Sequence, residues 1–339
     1  MSAERPRGRV VLERFESRVL EGNAAGDPYV RTVPVYLPPS YDEAPERRFP
    51  VTFMLSGFLG RGRMMLNDDP WKPPLDERMN ALIADGMDEM ILVMPDCFTR
   101  YGGSQYVNST ATGRYEDHVV EELVPWADRA FRTLGARDHR GVAGKSSGGY
   151  GALTLGMRHP DVFGAVACHS GDMLFDYCYR GDVPGFMTQV QRAGGLEAWL
   201  GAFQAKRKRK HEDFLTLNVL GMAASYSPNP KSPPFGIDLP CDLDTGSFRD
   251  DVWARWRAFD PLVMLETCAE ALRALKLLFI DCGTRDEFHL HHGARMFVRE
   301  LERRGIAHVY EEFDDGHMNV TYRFDVSLPR LARALRAAP

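Results

Sequence analysis

No run of apolar residues in this sequence approaches the roughly 18 that a membrane helix requires, which excludes a spanning helix. Cysteine is scarce, with six residues (Cys97, Cys168, Cys178, Cys241, Cys268, Cys282) in 339 and no CxxC pair. In a chain this large, that excludes a disulfide framework and reads as reduced thiols. Excess charge is missing too. A formal net charge of -5 gives no reason to expect nucleic acid or an anionic membrane as partner. The apolar stretch Val10-Val11-Leu12 is too short and too closely flanked by charge to be a signal-peptide core, so the expectation is a soluble, cytoplasmic chain. No internal repeat is found. What is present, 44% hydrophobic and 26% charged residues, suits one large α/β domain carrying an insertion.

Residues 16–20 and 30–37, around the turn-rich 21–28, predict an antiparallel hairpin. From residue 51 onward the pattern alternates. Strands are expected at 51–55, 90–94, 140–144, 162–168, 275–280 and 307–313, and helices at 77–87, 115–134, 150–158, 290–304 and 328–338. Pro125 should kink or split the second of these helices. Strands alternating with helices imply a mostly parallel sheet covered on both faces. Residues 171–259 break the rhythm with several Pro and Gly, the basic run Lys206 to Lys210, and the aromatics Phe175, Tyr177, Tyr179, Phe186, Trp199 and Phe203. They are expected as a cap inserted into a single domain spanning 1–339, its aromatics facing an apolar pocket. The basic run is read as a solvated helix face, since nothing basic or stacking surrounds it.

The chemical signal is Gly144-Lys145-Ser146-Ser147-Gly148, with an apolar strand before it and a helical pattern after it. A GxSxG string arises by chance in on the order of 0.1 copies per chain of this composition, so context decides. A nucleophilic serine needs a tight strand-to-helix turn with small neighbours, and the helix that follows aims its free N–H groups at the developing oxyanion. Ser146 is therefore the expected nucleophile. Its base should follow an acid in sequence order. His317, in the loop Asp314-Asp315-Gly316-His317 after the last expected strand, is the choice. His289, His291 and His292 resemble a metal cluster, but their spacing and lack of Cys or carboxylate support read instead as a helix start, so no metal or cofactor is expected. His169-Ser170 follows another strand and is expected near the pocket. Among Asp281, Asp286 and Glu287, Asp281 should stay in the sheet and Glu287 point elsewhere. Asp286, past the Gly283-Thr284 turn, should orient His317. The backbone N–H groups of Ser147 and Phe58, the latter in Ser56-Gly57-Phe58 after an early strand, are the expected oxyanion donors.

With Gly102-Gly103-Ser104-Gln105-Tyr106-Val107-Asn108-Ser109, Tyr115-Glu116-Asp117 and Cys282-Gly283-Thr284, these motifs resemble the "putative esterase" family of α/β hydrolases. That family takes in esterase D, enterochelin esterase and feruloyl esterase types. The resemblance runs from about residue 30 to about 325 and leaves 171–259 unmatched. It implies the α/β-hydrolase fold, a Ser146-His317-Asp286 triad, and Tyr106 and Asn108 near a small-molecule ester. Where relatives carry His or Asp before the glycine, this chain has Ser56. Where esterase D types carry His and Met around the nucleophile, it has Lys145 and Ser147, which speaks against a formylglutathione hydrolase. The absent leader speaks against a secreted feruloyl esterase. The alternatives are an acyltransferase using the same triad and a silent ligand-binding protein of the same fold. Oligomeric state is not legible.

Overall fold

In the computed structural model, which describes residues 7–337, eight strands form one sheet. They are β1 (Arg9–Glu16), β2 (Val30–Leu37), β3 (Val51–Leu55), β4 (Ile91–Val93), β5 (Arg140–Lys145), β6 (Ala165–His169), β7 (Leu277–Gly283) and β8 (Val309–Phe313). Their order is β1-β2-β4-β3-β5-β6-β7-β8. Neighbours from β4 to β8 pair in parallel, and β2 alone runs antiparallel to both neighbours. This is the α/β-hydrolase arrangement expected from the sequence. β3 lies near the middle with all five residues buried, as a strand covered on both faces must be. β8 closes one edge, and there Glu311 and Glu312 pair with Arg323, Arg330 and Arg295, a charged edge unsuited to further pairing.

Helices α1 (Leu75–Ala84) and α6 (Phe324–Leu335) pack on one face. The other face carries α2 (Val124–Ala130), α3 (Ser147–Arg158), α4 (Pro261–Arg273) and α5 (Leu290–Arg303). The spacing explains which face each buries. On α5, Leu290, Ala294, Phe297, Val298 and Leu301 form one stripe, and on α6 Phe324, Leu328, Leu331, Ala332 and Leu335 form another.

Three expectations about local structure are corrected. The hairpin forms, but its first strand is Arg9–Glu16 rather than 16–20: Arg9 pairs with Leu37 and Glu16 with Val30. Residues 17–29 are instead a long connection. Ser17 donates to Glu122, and Gly22 and Gly26 take positive φ. The helix expected over 115–134 ends at Ala130. Its six residues His118–Leu123 form a π-helical turn just before Pro125, whose missing N–H cannot serve the carbonyl four residues back. The basic run lies between two helices rather than on one, with Lys206 paired to Asp213.

Residues 171–259 leave the sheet after β6 and supply helices Phe175–Cys178, Val183–Arg192, Leu196–Ala205, His211–Tyr226 and Asp250–Arg257. Phe175, Tyr179, Phe186, Trp199 and Phe203 are buried, and Tyr177 alone of the six aromatics expected to face a pocket is exposed. Phe175 and Tyr226 pack on Tyr150 of α3, and Trp256 on Tyr226. These rings therefore anchor the excursion to the helix behind Ser146. Among the described residues, no helix is long and apolar enough to cross a membrane.

The β5–α3 turn is a very close backbone contact. A Cβ on Gly148 would lie 2.2 Å from the Leu55 carbonyl oxygen and 2.9 Å from that of Ser56, so only glycine lets the first turn of α3 close on the end of β3. Gly148→Ala should cost about 1–3 kcal/mol by overpacking. A urea-melt midpoint within error of the parent would contradict this packing.

Candidate active site

The C-terminal ends of β3, β5, β7 and β8 meet at one edge of the sheet, where open α/β sheets bind ligands. Ser146, between β5 and α3, has φ 60° and ψ -130°, a conformation that a non-glycine residue adopts only when its surroundings impose it. Its N–H donates to the His169 carbonyl at 2.9 Å, and its own carbonyl accepts the Tyr150 N–H at 2.9 Å. One bond ends the strand and the other begins the helix, leaving the side chain to project at the turn.

His317 is carried by the loop after β8, which lies against the loop after β7. A Cβ on Gly283 would lie 2.4 Å from the Asp315 carbonyl oxygen, and the Arg285 N–H donates to that same oxygen. Glycine at 283 thus lets the two loops touch. His317 Nδ1 lies 2.7 Å from Asp286 Oδ2, and Nε2 lies 2.9 Å from Ser146 Oγ. A carboxylate only accepts, so the neutral ring carries its proton on Nδ1 and takes the serine hydroxyl's hydrogen bond at Nε2. The other Asp286 oxygen accepts the Phe288 N–H at 2.9 Å. The Phe288 ring meets the imidazole edge-on at 4.7 Å between centroids. Asp286 and His317 are both buried, which shields their pairing from water.

The turn at Gly57 lies against the serine, since a Cβ on Gly57 would sit 3.5 Å from Ser146 Cβ. The Gly60 N–H donates to the Gly57 carbonyl at 2.8 Å. Because the peptide is planar and trans, the Phe58 N–H points the opposite way, out of the turn. Among the described residues, neither the Phe58 nor the Ser147 N–H has a protein acceptor. Ser147 opens α3, so its N–H also stands at the helix's positive end.

The remaining residues singled out by sequence make the following contacts. Asp281 stays in the sheet, accepting from His169 Nδ1 at 2.8 Å and Arg323 Nε at 2.8 Å. His169 faces α6 rather than the Ser146 side, with Nε2 2.8 Å from Ser327 Oγ and its ring on Phe324. Tyr106 is buried and donates to the Ser56 carbonyl at 2.7 Å. Asn108 donates to Asp117 at 2.7 Å and accepts that residue's N–H. The polar atoms of these two are engaged within the protein. Glu287, expected to point elsewhere, accepts the His317 N–H at 2.6 Å and so holds that loop. Only its place next to Asp286 hinted at this. His289 immediately precedes α5 without a side-chain capping bond, while His291 and His292 lie with ring centroids 4.0 Å apart.

The family model described as "Putative esterase" matches residues 28–334. The chain belongs to that family. An esterase of Mycobacterium tuberculosis is 37% identical over 83 residues, 24% of this chain and 18% of that protein. The endo-1,4-beta-xylanase/feruloyl esterase of Xylanibacter ruminicola is 29% identical over 150 residues, 42% of this chain and 20% of that protein. The matched stretches thus span only about a fifth of these relatives' length. Among solved structures, a ferulic acid esterase superposes with a TM-score of 0.63 at 21% identity, covering 97% of this chain and 99% of that one. A fluorophosphonate-binding serine hydrolase of Staphylococcus aureus superposes with a TM-score of 0.61 at 14% identity, covering 98% and 100%. At these identities the likeness shows the fold.

Beside the serine of this esterase-family chain, Lys145 is half-buried and its ammonium makes no hydrogen bond or ion pair among the described residues. Burial pushes its ammonium down from the usual 10.5 to about 8, against the pull of Asp286, Asp172 and Glu287. The unfolded chain therefore binds more protons than the folded one between pH 8 and 10.5, and folding gains stability as pH rises through that window. Lys145→Met should be more stable than the parent at about pH 7, with the advantage shrinking toward about pH 10. Urea midpoints at both pH values check this, and a difference that does not vary with pH contradicts it.

Proposed function

We propose that the protein is a serine carboxylic-ester hydrolase in which Ser146 is the nucleophile, His317 the general base and acid, and Asp286 the group that orients His317. The observation that carries this reading is the unbroken chain Ser146 Oγ to His317 Nε2 and Nδ1 to Asp286, at 2.9 and 2.7 Å. His317 Nε2 takes the serine proton as Oγ attacks the ester carbonyl carbon. The carbonyl oxygen becomes an oxyanion, received by the Phe58 and Ser147 N–H groups at the positive end of α3. The intermediate collapses, and His317 returns the proton to the departing alkoxide, leaving an acyl group on Ser146. Water, deprotonated by His317, then releases the acid by the same route. Every proton taken is given back, so these residues complete the cycle among themselves. The substrate in this reading is a small-molecule ester, and residues 171–259 act as a cap beside the pocket. A cytoplasmic setting fits the six unpaired cysteines, five of them buried.

Ser146→Ala should lower turnover of p-nitrophenyl acetate by roughly four orders of magnitude or more, since the members of a triad act as a unit. The variant should melt like the parent. Turnover within tenfold of the parent overturns the assignment.

A further inference from the structure

Gln105 and Tyr106 are consecutive non-glycine residues with φ of 53° and 54°, a left-handed conformation that side chains with a Cβ avoid. Both are buried. Strain of this kind persists only where surrounding contacts enforce it, and it clusters at functional sites. The contacts here are specific. Tyr106 donates its hydroxyl to the Ser56 carbonyl at 2.7 Å, and its ring packs so closely on α3 that a Cβ on Gly151 would lie 2.3 Å away. Gln105 Nε2 donates to Asp172 Oδ2 at 3.0 Å. That same carboxylate oxygen accepts the Tyr179 hydroxyl at 2.7 Å and the Ser147 hydroxyl at 3.3 Å.

We propose that Gln105 and Tyr106 are positioning residues that fix the two oxyanion donors relative to each other, Tyr106 through the Ser56 carbonyl and Gln105 through Asp172 and Ser147. The inference rests on the reading of Phe58 and Ser147 given above. The bond to the Ser56 oxygen fixes the plane of the Ser56–Gly57 peptide, and the Gly60 bond to the Gly57 oxygen fixes the next one. Those two planes determine where the Phe58 N–H points. On the other side, Asp172 ties the first residue of α3 to the residues 102–109 segment. Burial pushes the Asp172 carboxyl up, and the hydrogen bonds from Tyr179 and Gln105 pull it back toward the ionised form. Two loops and a helix are therefore referenced to one strained dipeptide. A role in packing alone needs the Tyr106 ring but not its hydroxyl, and Gln105's bulk but not its donor.

Tyr106→Phe and Gln105→Met separate the two roles, because each keeps volume and removes the donor. With p-nitrophenyl acetate, each should lower kcat by about tenfold or more while KM stays within about twofold. Inhibition by phenylboronic acid, whose tetrahedral adduct places an oxygen where the oxyanion forms, should weaken by the same factor as kcat. Melting temperature should stay close to the parent's. A kcat and boronate affinity unchanged in both variants overturn the proposal. So does a loss that falls on KM and melting temperature with boronate binding intact. Ser146→Ala, run in parallel, separates the layers: inactive Ser146→Ala beside unaffected Tyr106→Phe sinks the positioning role alone, whereas active Ser146→Ala sinks the underlying site with it.

Discussion

The approach of Gly148 to the carbonyl oxygens of Leu55 and Ser56 sets the geometry of the whole sheet edge. Because the first turn of α3 closes on the end of β3, Ser146 has no room for an ordinary strand or helix conformation and is driven to φ 60°. The same closeness brings the turn at Gly57 within van der Waals distance of the serine. A backbone that cost free energy to bend therefore carries a part-buried hydroxyl between the turn at Gly57 and the start of α3. The aromatic anchors Tyr150, Phe175 and Tyr226 load the far side of α3, so that the helix cannot back away.

Electrostatics at this edge follows from burial. Asp286 and His317 are withdrawn from water, so their mutual bond is stronger than it would be at the surface, and an unpaired partner would be costly. Asp172 is a second buried carboxylate, but its bonds to Ser147, Gln105 and Tyr179 commit it to support. Lys145 adds a half-buried cation within the field of all three nearby acids, Asp286, Asp172 and Glu287. This edge thus holds more charge than the Ser146–His317–Asp286 hydrogen-bond chain contains, and the surplus bears on its stability.

Sequence made the alternating core legible because buried parallel strands read as short apolar runs and their helices as stripes. Ser146 was legible because the turn it occupies admits few residue types. His317 and Asp286 followed from their place after successive strands. What sequence hid were relations across space. Nothing local tells that Glu287 holds the His317 backbone, or that Tyr106 and Asn108 spend their polar atoms on Ser56 and Asp117. The aromatics of 171–259 pointed to a pocket wall by composition, yet five of the six expected there are buried. The first strand is hard to read in the sequence because Arg9–Glu16 mixes charges into its alternation, as a strand at the sheet edge should.

The central claim is that Ser146 is activated by His317. Exposure to a fluorophosphonate followed by peptide mass analysis tests it most directly. The account predicts a single adduct, on the peptide containing Ser146, formed far more slowly when His317 is replaced by Ala. An adduct on another residue, or labelling of Ser146 at the parent rate without His317, would contradict it.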